Sequence, residues 1–406
     1  MKARTITFYD RRKLTDIHGF HGSFGVKPCV VHIRARCLFM LVAFLLFVSS
    51  CAKQSQPPSV EEITFQSGPF KVVGDLRLPD GKSPFPVVLF VHGSGPTNRL
   101  GGGGYLPVME RMLEAGYATF AWDKPGTGES MGQIDSFHVI EQRAQIVLDA
   151  IEVMKRRSDI DPRQIGLWGT SQAGYVMPYA LAQSQDITFM ICISCPGMPG
   201  EDQMAFQITA FALCDGVPEE KADQKVQLLT ELDEARTYDT YAEYLHYREV
   251  LDALAGLVTV PLESRSVLSE KSWQDNPSVN SGTWNPIEVV EQMEIPVLAI
   301  FGASDRQIDP LQGAHAYRKA LEQAGNPLSR VELFPNANHG IAPSETGCPE
   351  EDRQYMEQYV KTLGYASLSE AQAASPKDPY QPGLLGDPFV PGYLDLIEEW
   401  LKILQP

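Results

Sequence analysis

The chain has 406 residues, 43% of them hydrophobic, and carries 34 Lys and Arg against 51 Asp and Glu, a formal charge of −17 at pH 7. That length supports a large buried core, and that charge disfavours nucleic acid and bare anionic membrane as partners. Its simplest physical meaning is solubility.

In chain order, the first feature is an uninterrupted apolar run of twelve residues, 37–48. It is too short for an ordinary membrane-spanning helix and has the length of a signal-peptide core, with Arg34 and Arg36 as its positive flank. Val48-Ser49-Ser50-Cys51 resembles a bacterial lipobox, which marks Cys51 as the lipidated first residue of a mature, membrane-anchored envelope protein. A plain secretory signal is the alternative. Residues 1–50 then form a leader, and 51–60, polar and Pro-containing, a tether. Removing the leader leaves 26 basic and 49 acidic residues, a charge of −23.

Short strands are expected at 63–65 and 71–78, as an antiparallel pair. Buried strands follow at 87–91, 118–122, 164–168, 187–195, 296–301 and 330–334. Helices are expected at 105–115, 137–156, 313–324 and 394–404. Strands alternating with helices imply an α/β fold with a mostly parallel central sheet covered on both faces. Between residues 199 and 285 the alternation stops, and helices at 202–214, 218–235 and 240–257 read as an inserted cap. The core is thereby divided into 61–198 and 286–406. Tyr238, Tyr241, Tyr244 and Tyr247 recur every three residues in the cap and read as packing.

The chemistry centres on Gly169-Thr170-Ser171-Gln172-Ala173-Gly174. An apolar strand leads into this turn and a helix leaves it, the setting in which a nucleophilic serine is held on a strained corner above a sheet edge. Gly128-Glu129-Ser130-Met131-Gly132 is a closer literal match to the motif, but no strand leads directly into Ser130 and it reads as a loop residue. His339, in Asn336-Ala337-Asn338-His339-Gly340 after the last core strand, is the candidate base; His138, His246 and His315 fall in helical stretches. Asp305, leaving a buried strand, is the candidate orienting carboxylate, whereas Asp309 before Pro310 reads as a helix start. The order Ser171, Asp305, His339 suits three loops on one sheet edge. Oxyanion donors are expected from the backbone N–H groups of Gln172 and of Ser94, the latter in the turn His92-Gly93-Ser94-Gly95-Pro96. His92 reads as structural.

Cys192 and Cys195 have redox or zinc spacing, but with no second Cys/His cluster to complete a shell they read as buried thiols on opposite faces of a strand. Gly101-Gly102-Gly103-Gly104 lacks the Lys-Ser/Thr of a phosphate loop and is assigned no ligand. No metal or cofactor is expected.

Together these parts resemble the α/β-hydrolase superfamily from about residue 61 to the C-terminal helix, the cap apart. The resemblance includes Asp123-Lys124-Pro125-Gly126-Thr127-Gly128-Glu129-Ser130, similar to that family's Asp-x-x-Gly-x-Gly-x-Ser loop, which accounts for Ser130 without chemistry. His92-Gly93-Ser94-Gly95-Pro96 with Arg99 nearby looks most like bacterial esterases of the dienelactone-hydrolase and acyl-thioesterase-like branch. Ala173 stands where the family has its second elbow glycine. The resemblance implies a serine hydrolase acting on small-molecule carboxylic or thio esters through an acyl-enzyme. A serine peptidase cleaving short peptides is the alternative, for which Glu231, Glu234 and Glu243 are candidate anchors of a substrate amine. A non-catalytic envelope binding protein on the same fold is the alternative of another class.

Overall fold

Eight strands form one sheet in the order β1-β2-β4-β3-β5-β6-β7-β8. They are β1 Ser59–Ser67, β2 Phe70–Leu78, β3 Phe85–Val91, β4 Ala118–Trp122, β5 Ile160–Thr170, β6 Ile187–Ile193, β7 Val297–Gly302 and β8 Arg330–Phe334. β1 pairs antiparallel with β2, and β2 with β4; every other pairing is parallel. This computed structural model describes residues 59–135, 138–216, 227–228, 231, 240–255, 269–274, 285–362, 364–367, 369–370 and 387–405. The expected leader, Cys51 and most of the cap helix at 218–235 lie outside those residues.

The helices are α1 Leu106–Glu114, α2 Val139–Lys155, α3 Ala173–Leu181, α4 Gly200–Cys214, α5 Tyr241–Ala255, α6 Glu270–Gln274, α7 Ile287–Val290, α8 Pro310–Ala324, α9 Pro349–Thr362 and α10 Tyr393–Leu404. The central strands are apolar throughout because both faces are covered. In β3, Val87, Leu89 and Val91 enter one core layer with α2, α3 and α8, while Val88 and Phe90 enter the other with α1 and α10. On α2 the apolar stripe Ala144, Val147, Ile151 and Met154 follows the helical period. On α10, Leu394, Ile397, Trp400 and Leu401 are buried. Each such side chain contributes about 1.5–3 kcal/mol, so the last helix is part of the core. This is the α/β-hydrolase arrangement, an eight-stranded, mostly parallel sheet with helices on both faces.

Several expected boundaries shift. Ser59 and Val60, read as tether, already pair with Leu78 and Arg77 in β1. α8 begins at Pro310, three residues earlier than its apolar pattern suggests, because the Asp309 side chain accepts from the N–H groups of Leu311 and Gln312 and Pro310 occupies the first turn. Strand β6 ends at Ile193, and Ser194 turns into the left-handed region at φ 46°. That turn overturns the opposite-face reading of the thiols: Cys192 and Cys195 lie buried in the same core layer. Tyr244 and Tyr247 are buried, and Tyr241 stacks on Tyr244, as packing residues do. Cys214, at the end of α4, is joined by a disulfide to Cys348, which precedes α9. Neither cysteine's sequence surroundings announced that link.

Candidate active site

Ser171 sits between β5 and α3 at φ 57°, a conformation that a non-glycine residue adopts only under constraint. Its N–H donates to Ile193 O at 2.9 Å, and its carbonyl accepts from Gly174 N at 2.8 Å. The small residues on either side are required by space: a Cβ on Gly169 would lie 2.6 Å from Ala173 Cβ. Ala173 is buried and fits against Gly169 because that residue has no Cβ.

Asp305 and His339 meet as the sequence order suggests. His339 Nδ1 lies 2.7 Å from Asp305 Oδ2, and Asp305 is 2% exposed. The other oxygen of Asp305 accepts from the N–H groups of Gln307 and Ile308 at 2.7 and 3.0 Å, which fixes the carboxylate plane. A carboxylate partner makes Nδ1 the protonated nitrogen and leaves Nε2 as the acceptor. The loops of the acid and the base are tied directly, since Ser304 N donates to Ala337 O at 2.9 Å. Burial lowers the basicity of His339, but the charge and hydrogen bond of Asp305, with Asp352 adding to them, outweigh it and leave the pKa raised. Among the described residues the Ser171 hydroxyl is not hydrogen-bonded to His339; such contacts commonly tighten only with substrate in place.

The oxyanion turn abuts the serine. A Cβ on Gly93 would lie 3.2 Å from Ser171 Cβ, a tight contact, so glycine lets the turn approach the serine this closely without displacing it. Next to it, Ser94 is exposed. Gln172 lies at the N-terminal end of α3, where unpaired amides face an anion. Neither the Ser94 nor the Gln172 N–H makes a backbone hydrogen bond among the described residues, so both are available as donors.

The competing candidates have structural employment. Ser130 is buried, and its hydroxyl accepts from Val73 N at 2.9 Å. Asp123 of the same loop takes the N–H of Glu129 at 2.9 Å and two side-chain nitrogens of buried Arg99, at 3.2 and 2.8 Å. His92 Nε2 donates to Trp122 O at 2.5 Å, which leaves Nδ1 to accept from Tyr105 OH at 3.1 Å. Burial first, then the charges of Lys124 and Arg143, push its pKa down to about 3. With both ring nitrogens engaged and its basicity depressed, this ring has no free nitrogen to serve as a base. Glu243 and Thr240 cap α5 reciprocally, at 2.9 and 3.3 Å, and Glu231 accepts from Gln227 at 3.0 Å. Glu234 falls outside the described residues.

Two groups beside the site were not singled out in sequence. Asp352 on α9 accepts from Asn338 Nδ2 at 2.8 Å, and Asn338 Oδ1 accepts from Gly340 N and Ala342 N, so this carboxylate shapes the loop that carries His339. Burial raises its pKa. Arg143 on α2 is buried and reaches both His92 O and Gln172 Oε1. An arginine in an otherwise amphipathic helix gives no sequence signal that it faces inward. Among the described residues, no group of three or more His, Cys, Asp or Glu is disposed to hold a metal ion, and no helix is long and apolar enough to cross a membrane.

Residues 68–339, more than half of the chain, match the family model described as X-Pro dipeptidyl-peptidase (S15 family). Esterase EstD of Thermotoga maritima is 22% identical over 299 residues, 71% of this chain and 62% of that protein. The quorum-quenching protein AidA of Acinetobacter baumannii is 27% identical over 145 residues, 36% of this chain and 46% of that protein. The chain spans 39 to 62% of the length of the curated relatives it matches. Among solved structures, the Pyrococcus furiosus esterase Pf2001 aligns with a TM-score of 0.45 at 17% identity, over 70% of this chain and 84% of that one.

Proposed function

The chain belongs to the X-Pro dipeptidyl-peptidase (S15) family, and we propose that it is a serine hydrolase that cleaves carboxylic or thio esters through an acyl-enzyme on Ser171. The observation that carries the reading is the hydrogen-bonded Asp305–His339 pair, held on the loops of β7 and β8, with Ser171 on a left-handed corner after β5 and against the Gly93 turn. In this reading His339 Nε2 takes the Ser171 proton as Oγ attacks the ester carbonyl. The N–H groups of Ser94 and Gln172 receive the oxyanion, and Asp305 holds the imidazolium that forms. His339 returns the proton to the leaving alcohol or thiol. Water then releases the acyl group by the same steps in reverse order.

Ester cleavage is favoured over peptide cleavage because two of the glutamates available to anchor a substrate amine are committed, Glu243 to a helix cap and Glu231 to Gln227. The extended similarity to a protein named as an esterase supports the same choice. The family's own name favours the second reading, a peptidase of short proline-containing peptides. We further place the enzyme in the bacterial cell envelope, with residues 1–50 as signal, Cys51 as the lipid attachment site and helices from 199–285 as the cap over the site. The Cys214–Cys348 disulfide supports export, since such bonds persist in oxidising compartments.

Ser171→Ala should abolish both fluorophosphonate labelling and hydrolysis of short aryl esters, a loss on the order of 10⁴-fold or more. Undiminished labelling of that variant would remove Ser171 from the mechanism. A panel setting aryl esters against Xaa-Pro amides decides between the two readings; turnover of amides alone establishes the peptidase.

A further inference from the structure

Two buried cations that the acid–base mechanism does not use hold the carbonyls of the Gly93 turn. Lys124 Nζ donates to Gly93 O at 2.6 Å and also to Gly95 O. Arg143 donates to His92 O and, at 2.5 Å, to Gln172 Oε1. Three consecutive-turn carbonyls, those of His92, Gly93 and Gly95, are thus all turned toward ammonium or guanidinium. Both side chains are nearly inaccessible, at 7% and 5% exposure. A cavity of about 10 Å³, room for about one water, lies between them and His92, Trp122 and Val91.

A trans peptide unit is planar, with its carbonyl and its N–H pointing in opposite directions. The only cis bond among the described residues is Ser83–Pro84, so the Gly93–Ser94 unit is trans. Holding Gly93 O on Lys124 therefore aims the Ser94 N–H away from Lys124, and holding His92 O on Arg143 does the same for the Gly93 N–H. Arg143 also grips the side chain of the residue that carries the second donor. We propose that Lys124 and Arg143 are positioning residues of the oxyanion hole, which fix the direction of the Ser94 N–H and the spacing between the two donor-bearing loops.

Carbonyl satisfaction alone would not require this arrangement. A neutral donor or a backbone amide bonds a carbonyl at far lower desolvation cost than a buried cation. Arg143 bears that cost with an amide oxygen and a backbone carbonyl as its acceptors; burial lowers its pKa only to about 10, so it stays charged at neutral pH. What a charge supplies beyond a neutral donor is stronger polarisation of the peptide it bonds. Lys124, the Gly93–Ser94 peptide dipole and the developing oxyanion lie in series, so that charge strengthens the N–H it orients, while Arg143 fixes the neighbouring peptide and the Gln172 side chain. The inference rests on the serine-hydrolase reading.

The test uses the full chain with Lys124→Met and Arg143→Met. The readouts are the rate of fluorophosphonate labelling, hydrolysis of an aryl ester, inhibition by a trifluoromethyl ketone, and the unfolding midpoint. Removal of an oxyanion donor costs about 10²–10³-fold, so loss of its alignment should cost roughly 10–100-fold in labelling and in kcat. Trifluoromethyl ketone affinity should fall in parallel, KM should stay within about threefold, and the acidic limb of the pH profile should keep its midpoint, since the base is untouched. Folded variants that label and turn over at the wild-type rate overturn the inference. So does a loss accompanied by a displaced acidic limb, which places the damage at His339. If the Met variants do not fold, Lys124→Gln and Arg143→Gln replace them, with a smaller loss expected and a wild-type rate again overturning it. Wild-type protein that is not labelled at Ser171 removes the serine-hydrolase reading and this inference together, whereas labelled wild type with equally reactive variants removes only this inference.

Discussion

The loop after β3 and the loop after β8 each place a histidine at the carboxyl edge of the sheet, His92 buried and His339 partly so, yet their chemistry is opposite. His92 faces a carbonyl, a tyrosine hydroxyl and two cations, and its pKa falls to about 3. His339 faces two carboxylates, and its pKa rises despite burial. Burial is common to both, so the sign is set by the neighbouring charges. The loops are also held by different means. The β3 turn is gripped by Lys124 and Arg143, while the β8 loop is braced by Asn338 and Asp352 and lies near the Cys214–Cys348 bond.

The largest expected effect that separates the two loops comes from Asp305→Asn. Its amide can still accept from Gln307 and Ile308, but its NH₂ then faces His339 and imposes the wrong tautomer. Ester turnover should fall about 10³–10⁴-fold with little loss of stability, measured by kcat and by thermal unfolding. A loss under tenfold would mean that His339 does not act as the base.

Next in size is the covalent strap. Cys214→Ser with Cys348→Ser opens a link across 134 residues, and chain-entropy reasoning puts the loss at about 5 kcal/mol of unfolding free energy, readable in a denaturant titration. An unchanged denaturation midpoint would show that the β8 side is held by packing alone.

His92→Phe should act on stability more than on chemistry. It strips Trp122 O of its donor and Tyr105 OH of its acceptor, at roughly 1–3 kcal/mol. The acidic limb of the pH–rate profile should stay in place; movement of that limb would assign His92 a share in proton transfer.

The smallest effect is a displacement in pH. With His339 as the proposed base, activity needs its neutral Nε2, so turnover should rise through a midpoint above the ordinary histidine value of about 6.5. The stability that the Asp305–imidazolium pair contributes runs the other way: it is fully present below the unfolded pKa and is lost as pH rises through the raised folded pKa. Asp352→Asn removes one of the charges that raise it, and the midpoint of activity should move down. A midpoint that stays fixed would confine Asp352 to shaping the loop.

Residue order and local pattern made much of this legible. An apolar run, a small-residue turn and a helix mark Ser171, and the loop residues after two later strands mark Asp305 and His339, because strand-end turns are local features. Asp309 was readable as a helix cap for the same reason. Strand ends were less legible: the left-handed turn at Ser194 returns Cys195 to the layer of Cys192, which alternation along a strand cannot foresee. The Cys214–Cys348 bond, the two histidines' opposite pKa values and the inward face of Arg143 depend on groups far apart in the chain. The sequence by itself determined the alternating α/β order, the serine corner and the candidate acid and base, since each is written in a few neighbouring residues. Only the tertiary structure decided which histidine meets a carboxylate and which buried cations hold the turn after β3, because electrostatic environment is a property of space and not of sequence position.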